Sequence, residues 1–279
     1  MRIGKWIGAR EAKRINVYED KGEKMNQSDY KLGLASISFR DHTPEEILKA
    51  AKAAGLSCIE WGSDVHAPRN DMHKLHKIVQ LQLEYGISCS SYGTYFRIGV
   101  HPLEELIEYI AAAKVLGTRV LRLWGGVKNG QNMTEDERKH FIYCCQKAAA
   151  MAQAQDVILC LECHMCTITE HPEDAVALMK TVNSPHFRMY WQPFQWLSNE
   201  ENLSIAHMVA PYTENIHVFN WHGSEKFSLT QAIHTWREYL SRFSPPRALL
   251  LEFMPDDRLE SLEKEAAALK NIVGECKCI

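Results

Sequence analysis

Residues 157–162 read VILCLE, a short apolar run that ends on a glutamate. Apolar runs of this length, bounded by polar segments, are typical of buried β-strands. Three later runs have the same form and carry or end on a residue able to hold a metal: residues 187–192 (FRMYWQ), 215–218 (NIHV) and 249–252 (LLLE). The polar residues of the four runs are 30, 25 and 35 residues apart: Glu162, Gln192, His217 and Glu252. Each interval holds one strand and one helix, so the spacing predicts consecutive parallel strands.

The same alternation of strand and helix signals covers most of the chain. Eight runs predict strands: residues 32–38, 57–61, 88–92, 119–124, 157–162, 187–192, 215–219 and 248–253. Helix starts lie between them, including capping boxes at Thr43 and Thr134 and a helix-opening Pro172. The connections are short and no glycine-rich turn follows the first strand, which favours a closed barrel over an open sheet. We therefore expect a single-domain α/β protein, a (β/α)₈ TIM barrel over residues 31–279, with residues 1–30 as an N-terminal extension outside the core.

Composition narrows the class of protein. The chain has 279 residues, of which 46% are hydrophobic and 24% charged, with a formal net charge of −3. This length suits one large barrel, and the slight acidic excess argues against a nucleic-acid partner. No apolar stretch has the length of a membrane span and the N-terminal residues lack a signal-peptide core, so no membrane association is expected. The 9 cysteines, an odd number, suit reduced core residues of a cytoplasmic protein.

The four strand-end residues predict a metal centre. In a parallel barrel, side chains at the carboxyl ends of strands meet at one face. Two carboxylates and an imidazole suit a divalent cation, and an amide oxygen can add a fourth contact. We expect one ion, with Mn²⁺ preferred over Mg²⁺, Co²⁺ or Zn²⁺. The two glutamates, Glu162 and Glu252, could also move protons on a bound sugar. A buried ion pair with a nearby Arg or Lys is the structural alternative for each of them.

Other residues near strand ends are candidates for substrate contacts: Glu60, His66, Trp124, His164 and Arg97. The first two follow the second strand and are expected at the same barrel mouth. The indole could pack on the apolar face of a sugar, with barrel–helix packing as the alternative. His164 is two residues beyond Glu162 and could share its strand face, where it would contact substrate or support the metal ligands.

Three arginines could bind an anion in a bidentate manner: Arg40, Arg97 and Arg122. None of them lies in a phosphate-specific motif. A phosphorylated substrate is therefore left open by the sequence.

Several segments together resemble the xylose-isomerase-like TIM-barrel superfamily of sugar (phosphate) isomerases and epimerases. The resemblance covers about residues 31–273 and rests on residues 58–68 (CIEWGSDVHAP), 121–126 (LRLWGG), 162–164 (ECH), 189–194 (MYWQPF), 216–221 (IHVFNW) and 251–253 (LEF). It implies that Glu162, Gln192, His217 and Glu252 bind one divalent ion and that the two glutamates form the acid/base pair. The superfamily pattern has Asp where this chain has Gln192. The apurinic-endonuclease branch has an Asp and a His where this chain has Gln192 and Gln195, so a three-zinc site and DNA repair are not expected.

The expected function is a divalent-metal-dependent isomerase or epimerase of a small sugar or sugar derivative. Glutamate-mediated proton transfer would proceed through a metal-stabilised enediolate. A lyase or dehydratase acting on an oxidised sugar or inositol derivative is an alternative, because the same intermediate could expel a β-hydroxyl group. A non-catalytic sugar-binding subunit with a metal site altered at Gln192 is another. The sequence leaves a homo-oligomer open.

Overall fold

A computed structural model describes residues 30–244 and 246–275. Eight parallel strands form its barrel: β1 (Tyr30–Ala35), β2 (Cys58–Gly62), β3 (Ser88–Arg97), β4 (Val120–Trp124), β5 (Ile158–Glu162), β6 (Phe187–Trp191), β7 (Thr213–Val218) and β10 (Arg247–Leu251). They pair in chain order, and β10 closes the barrel by pairing with β1. A small antiparallel hairpin, β8 (Trp221–His222) and β9 (Glu225–Lys226), follows β7. Each predicted strand is present, and the predicted (β/α)₈ TIM barrel is confirmed.

Eight helices surround the barrel: α1 (Pro44–Ala53), α2 (Met72–Tyr85), α3 (Glu105–Leu116), α4 (Glu135–Gln155), α5 (Pro172–Val182), α6 (Asn199–Val209), α7 (Ile233–Leu240) and α8 (Leu262–Glu275). The predicted capping boxes at Thr43 and Thr134 are formed, and Ser198 forms a third. In each box, the hydroxyl accepts from a backbone N–H that the helix leaves unpaired. None of the helices in the described part of the chain has both the length and the apolar composition needed to cross a membrane.

Two strands end three or more residues away from the position that the sequence predicts. The first was expected to reach residue 38 but ends at Ala35, because residues Ser36–Phe39 form a 3₁₀ turn. Ser36 Oγ accepts from Gly62 N at 2.9 Å, which ties this turn to the end of β2. Strand β3 continues to Arg97, five residues beyond its predicted end, and pairs there with Trp124 of β4. Gly93, Thr94 and Arg97 interrupt the apolar pattern of this extension and conceal it in the sequence.

The interior of the barrel is built in layers. A small apolar cluster lies inside the barrel: Cys58, Cys160, Tyr190, Ala248 and Leu250. Successive side chains of a strand alternate between its two faces, so residues two positions further along the strands face the same interior. Those residues include Glu60, Glu162, Gln192 and Glu252. Polar side chains therefore lie directly above an apolar floor, at the carboxyl ends of the strands, where TIM barrels place their active sites.

Candidate metal centre

The centre is built around one buried imidazole. His217 Nδ1 lies 3.1 Å from Gln192 Oε1, 3.4 Å from Glu162 Oε1 and 3.4 Å from Glu252 Oε2. We call these four residues the His217 cluster. All of them are buried, and Gln192, the most exposed, is only 8% exposed. The structure thus brings together the four residues that the sequence predicts as ligands, although their binding of an ion stays a prediction.

The spacing of these atoms fits a divalent cation. One ligand atom each from Glu162, His217 and Glu252 lie within 4.8 Å of one another. Metal–ligand bonds of about 2.0–2.2 Å, at angles between octahedral and tetrahedral values, separate neighbouring ligand atoms by roughly 3.0–3.4 Å. The distances around Nδ1 fall in this range. The cluster could therefore hold such an ion with little movement of its side chains.

The opposite side of the imidazole ring faces another carboxylate. Glu60 Oε1 lies 3.4 Å from His217 Nε2, accepts from Arg122 Nε at 3.0 Å, and its other oxygen accepts from Ser91 Oγ at 2.9 Å. Arg122 Nη1 also donates to Glu162, so one guanidinium joins two carboxylates inside the barrel. A Cβ atom at Gly93 would lie 2.7 Å from Glu60 Oε1, so this position needs a glycine to leave space for the ion pair.

The charges around His217 favour a cation. Glu60, Glu162 and Glu252 are three buried carboxylates, and Arg122 is the one guanidinium paired among them, which leaves −2 when the imidazole is neutral. Burial opposes charge on His217, but Glu252 and Glu60 outweigh it and raise the pKa of the imidazole to about 10. Without an ion, the cluster thus binds a proton instead. A divalent cation would bring the net charge to zero and remove the cost of unbalanced buried charge.

The two glutamates of the cluster differ. Burial opposes ionisation of Glu162, but Arg122 outweighs it and holds the pKa of this carboxyl below its usual range. Burial, together with the charge of Glu162, raises the pKa of Glu252 despite the nearby His217. Among the described residues, no lysine or arginine forms an ion pair with Glu252. The alternative of a buried ion pair therefore describes Glu162 but not Glu252.

Two of the predicted substrate contacts lie deeper than the sequence suggests. Glu60 is fully buried beside Arg122 and does not open to the barrel mouth. His66 is 2% exposed, and its ring nitrogens lie 3.1 Å from Ser36 Oγ and 3.1 Å from the carbonyl oxygen of His42. Both nitrogens are thus occupied by the turn that follows β1. Contact of either side chain with substrate stays an untested prediction.

The other three predicted contacts lie together on the rim of the barrel. The ring centres of Trp124 and His164 are 4.2 Å apart, and Arg97 Cζ lies 4.0 Å from the centre of the Trp124 ring. We call these three residues the Arg97 stack. Its members come from the ends of β3 and β4 and from the segment after β5, so the pairing of these neighbouring strands brings them together.

Sequence reasoning missed the supporting role of Arg122. The sequence suggests this residue as a candidate for binding an anion, whereas in the structure it forms ion pairs with Glu60 and Glu162. A signal was present, because Arg122 lies in the middle of the apolar run LRLW. A charge at such a position must face a buried partner. Ser91 and Gly93, which support Glu60, carry no comparable signal.

Comparison with known proteins identifies the family. A family model described as xylose isomerase-like TIM barrel matches residues 48–247. The chain belongs to this family. No curated protein sequence matches the chain.

Solved structures share the barrel over nearly their whole length. The probable 3-DHS dehydratase AsbF, involved in petrobactin synthesis in Bacillus anthracis, is 16% identical, with 86% of this chain and 98% of that chain covered and a TM-score of 0.75. The IOLI protein with a binding zinc atom is 14% identical, with coverage of 88% and 98% and a TM-score of 0.71. D-psicose 3-epimerase from Clostridium cellulolyticum H10, solved with D-tagatose, is 11% identical, with coverage of 86% and 96% and a TM-score of 0.61. Identities this low establish a shared fold.

Proposed function

We propose that the protein is a divalent-metal-dependent isomerase or epimerase of a small sugar or sugar derivative. The observation that carries this proposal is the approach of three side-chain oxygens to His217 Nδ1, at 3.1, 3.4 and 3.4 Å, on the floor of the barrel mouth. Mn²⁺ is the ion that we expect first. The ion, when bound, would polarise a substrate carbonyl and stabilise the negative charge that develops when a neighbouring carbon loses its proton.

Glu252 is the residue best suited to remove that proton. In the ion-free protein, burial and the charge of Glu162 raise its pKa, and no arginine or lysine in the described residues pairs with it. A general base is most effective when its pKa lies near the working pH. Glu162, whose negative charge is stabilised by Arg122, is the weaker base of the two. We therefore assign proton removal to Glu252 and mainly ion binding to Glu162.

This difference between Glu252 and Glu162 favours isomerisation over epimerisation. Conversion of an aldose into a ketose can use one base, which moves the carbon-bound proton to the neighbouring carbon while the hydroxyl proton passes from one oxygen to the other. Epimerisation at a single carbon needs a base on one face of the substrate and an acid on the other, so Glu162 would have to carry a proton beside Arg122. The asymmetry therefore favours isomerisation over epimerisation, although both reactions begin with the same proton removal.

A dehydratase is the second candidate, and the same asymmetry supports it. Elimination of water needs a base that removes the carbon-bound proton and an acid that protonates the departing β-hydroxyl group. Glu252 could do both, because the proton that it removes from carbon can be passed to the hydroxyl group. One structural neighbour is described as a probable dehydratase and another as an epimerase, so this fold accommodates both reaction types.

Solvent exchange tests the proposal. The Mn²⁺-loaded protein would be incubated in D₂O with a panel of aldoses, ketoses and sugar acids, and deuterium would be located by NMR. Deuterium at the carbon next to the carbonyl supports isomerisation or epimerisation, whereas an unsaturated product supports dehydration. Glu252→Gln should remove the exchange, and Glu214→Gln, which changes a partly exposed glutamate near the opposite end of β7, should retain it. A metal-loaded protein that exchanges no probe would instead favour a non-catalytic sugar-binding subunit.

A further inference from the structure

Arg97 carries a positive charge that forms no ion pair among the described residues. The residue ends β3 and is half-buried, and its Nη1 donates to the carbonyl oxygen of Gly126 at 3.0 Å. No carboxylate in the described part of the chain lies within ion-pair distance of it. The other two arginines considered above are paired, Arg40 with Asp64 and Arg122 with Glu60 and Glu162. Leaving a half-buried charge unpaired is unfavourable, so this position favours an external anion.

The Arg97 stack connects this charge to the His217 cluster. Arg97 lies over Trp124, Trp124 contacts His164, and His164 is two residues beyond Glu162. His164 Nδ1 lies 2.8 Å from the carbonyl oxygen of Met165, and a carbonyl can only accept, so Nδ1 must carry the proton. In the neutral ring, Nε2 is then an acceptor suited to a hydroxyl group. The Arg97 stack therefore offers a cation at Arg97, an aromatic face at Trp124 and a hydroxyl acceptor at His164.

The donor geometry of Arg97 selects the chemistry of its ligand. A guanidinium has five N–H donors in a plane, and among the described residues this side chain makes one hydrogen bond, to the carbonyl oxygen of Gly126. Its remaining edge matches the paired oxygens of a carboxylate or phosphate. The His217 cluster with its divalent ion is neutral overall, so it would not repel such an anion.

We propose that Arg97 binds an anionic oxygen group of the substrate, so that the substrate is a sugar acid or a sugar phosphate. This inference rests on the proposed function and names the substrate class of that site. Trp124 holds the guanidinium by stacking, and His164 accepts from a substrate hydroxyl between the anionic group and the reacting carbonyl.

Binding measurements on the Mn²⁺-loaded protein test this assignment. The probes are D-glucuronate for the carboxylate, D-fructose 6-phosphate for the phosphate and D-fructose as the neutral sugar. Each would be titrated calorimetrically into the wild type, Arg97→Gln, Arg97→Lys and a control, Arg119→Gln. Arg119 is exposed and pairs with Asp156 near the opposite end of β4, so its replacement removes the same charge away from the barrel mouth.

We expect at least one anionic probe to bind more tightly than D-fructose. Hydrogen bonds to a charged group contribute about 1.5–3 kcal/mol, so Arg97→Gln should weaken that probe about 10- to 100-fold. Arg97→Lys should recover part of the loss, and Arg119→Gln should bind as the wild type does. Equal Mn²⁺ affinity in all four proteins would show that the metal site is intact.

The opposite pattern overturns the inference: no anionic probe binds better than D-fructose, or Arg97→Gln leaves anion affinity unchanged. Deuterium exchange separates this failure from failure of the proposed function. Exchange on D-fructose alone would retain the function and reject the anion site. Binding of an anion that Arg97→Gln removes, without exchange on any probe, would retain the anion site and reject the isomerase.

Discussion

The carboxylate of Glu60 lies 3.4 Å from His217 Nε2, on the side of the ring away from Glu162, Gln192 and Glu252. A histidine that binds metal commonly donates its other N–H to a carboxylate, which fixes the ring orientation and the tautomer. Nε2 is buried without a hydrogen-bond partner among the described residues, and Glu60 is the carboxylate at ion-pair distance from it; a small approach would let Glu60 accept the Nε2 proton, which would leave the Nδ1 lone pair free for an ion. The residue predicted as a substrate contact therefore has the geometry of a support for the metal ligand.

Glu60→Gln should weaken binding of Mn²⁺ about 10- to 100-fold, because partners of metal-binding histidines typically contribute that much. The amide keeps the size of the side chain but removes its charge and its ion pair with Arg122. Isothermal titration of Mn²⁺ into the ion-free protein measures the change. Glu46→Gln, which alters an exposed helix-capping glutamate, is the control. Unchanged affinity in Glu60→Gln would show that Glu60 does not support the metal site.

Binding of the ion should release protons at neutral pH. The pKa of His217 is raised to about 10 in the ion-free protein, so its ring carries a proton at Nδ1 that the ion must displace. Protons and metal compete for the same atom, so Mn²⁺ affinity should increase as the pH rises from about 6 toward the pKa of the ring. Titration calorimetry in buffers of different ionisation enthalpy counts the released protons. A binding heat that is the same in all buffers would contradict this expectation.

Replacing the two glutamates of the His217 cluster should have different effects on metal retention and deuterium exchange. Glu252→Gln removes the proposed base as well as one charged ligand, so it should lower deuterium exchange about 10²- to 10⁴-fold even when the protein is loaded with metal. Glu162→Gln removes a charged ligand and the partner of Arg122, so it should lose both metal retention and exchange. Metal content after mild chelation, measured beside the exchange rate, distinguishes the two effects. Near-native exchange by metal-loaded Glu252→Gln would show that another group removes the proton.

The sequence predicts the barrel and the convergence of the His217 cluster because both follow from local periodicity. Strand runs recur at regular intervals, and each cluster residue lies within one position of the end of its strand. Cys160 and Glu162, like Leu250 and Glu252, are two residues apart and share one strand face, so apolar floor and polar site follow from the same alternation. The position at which a strand ends therefore predicts how deep in the barrel its polar residue lies.

The ion pairs beneath the cluster could not be predicted in the same way. Arg122 pairs with Glu60, which is 62 positions earlier in the chain, and with Glu162, which is 40 positions later. These contacts exist only because the barrel closes and Gly93 leaves space between its strands. The burial of His66 likewise depends on the turn after β1, a segment that the apolar pattern predicts as part of the strand. Such contacts depend on side-chain packing across the sheet, which periodicity does not specify.

Gln192 should affect how strongly the ion is held. Its Oε1 lies 3.1 Å from His217 Nδ1, so the amide oxygen is placed to contact an ion bound there. Gln192→Asp adds a negative charge to the cluster and should tighten Mn²⁺ binding, although activity should not require it. Gln192→Leu removes the oxygen and should weaken binding. Titration of Mn²⁺ into the ion-free wild type and both variants tests this order. Equal affinities in the three proteins would mean that Gln192 stays outside the coordination sphere and that only Glu162, His217 and Glu252 hold the ion.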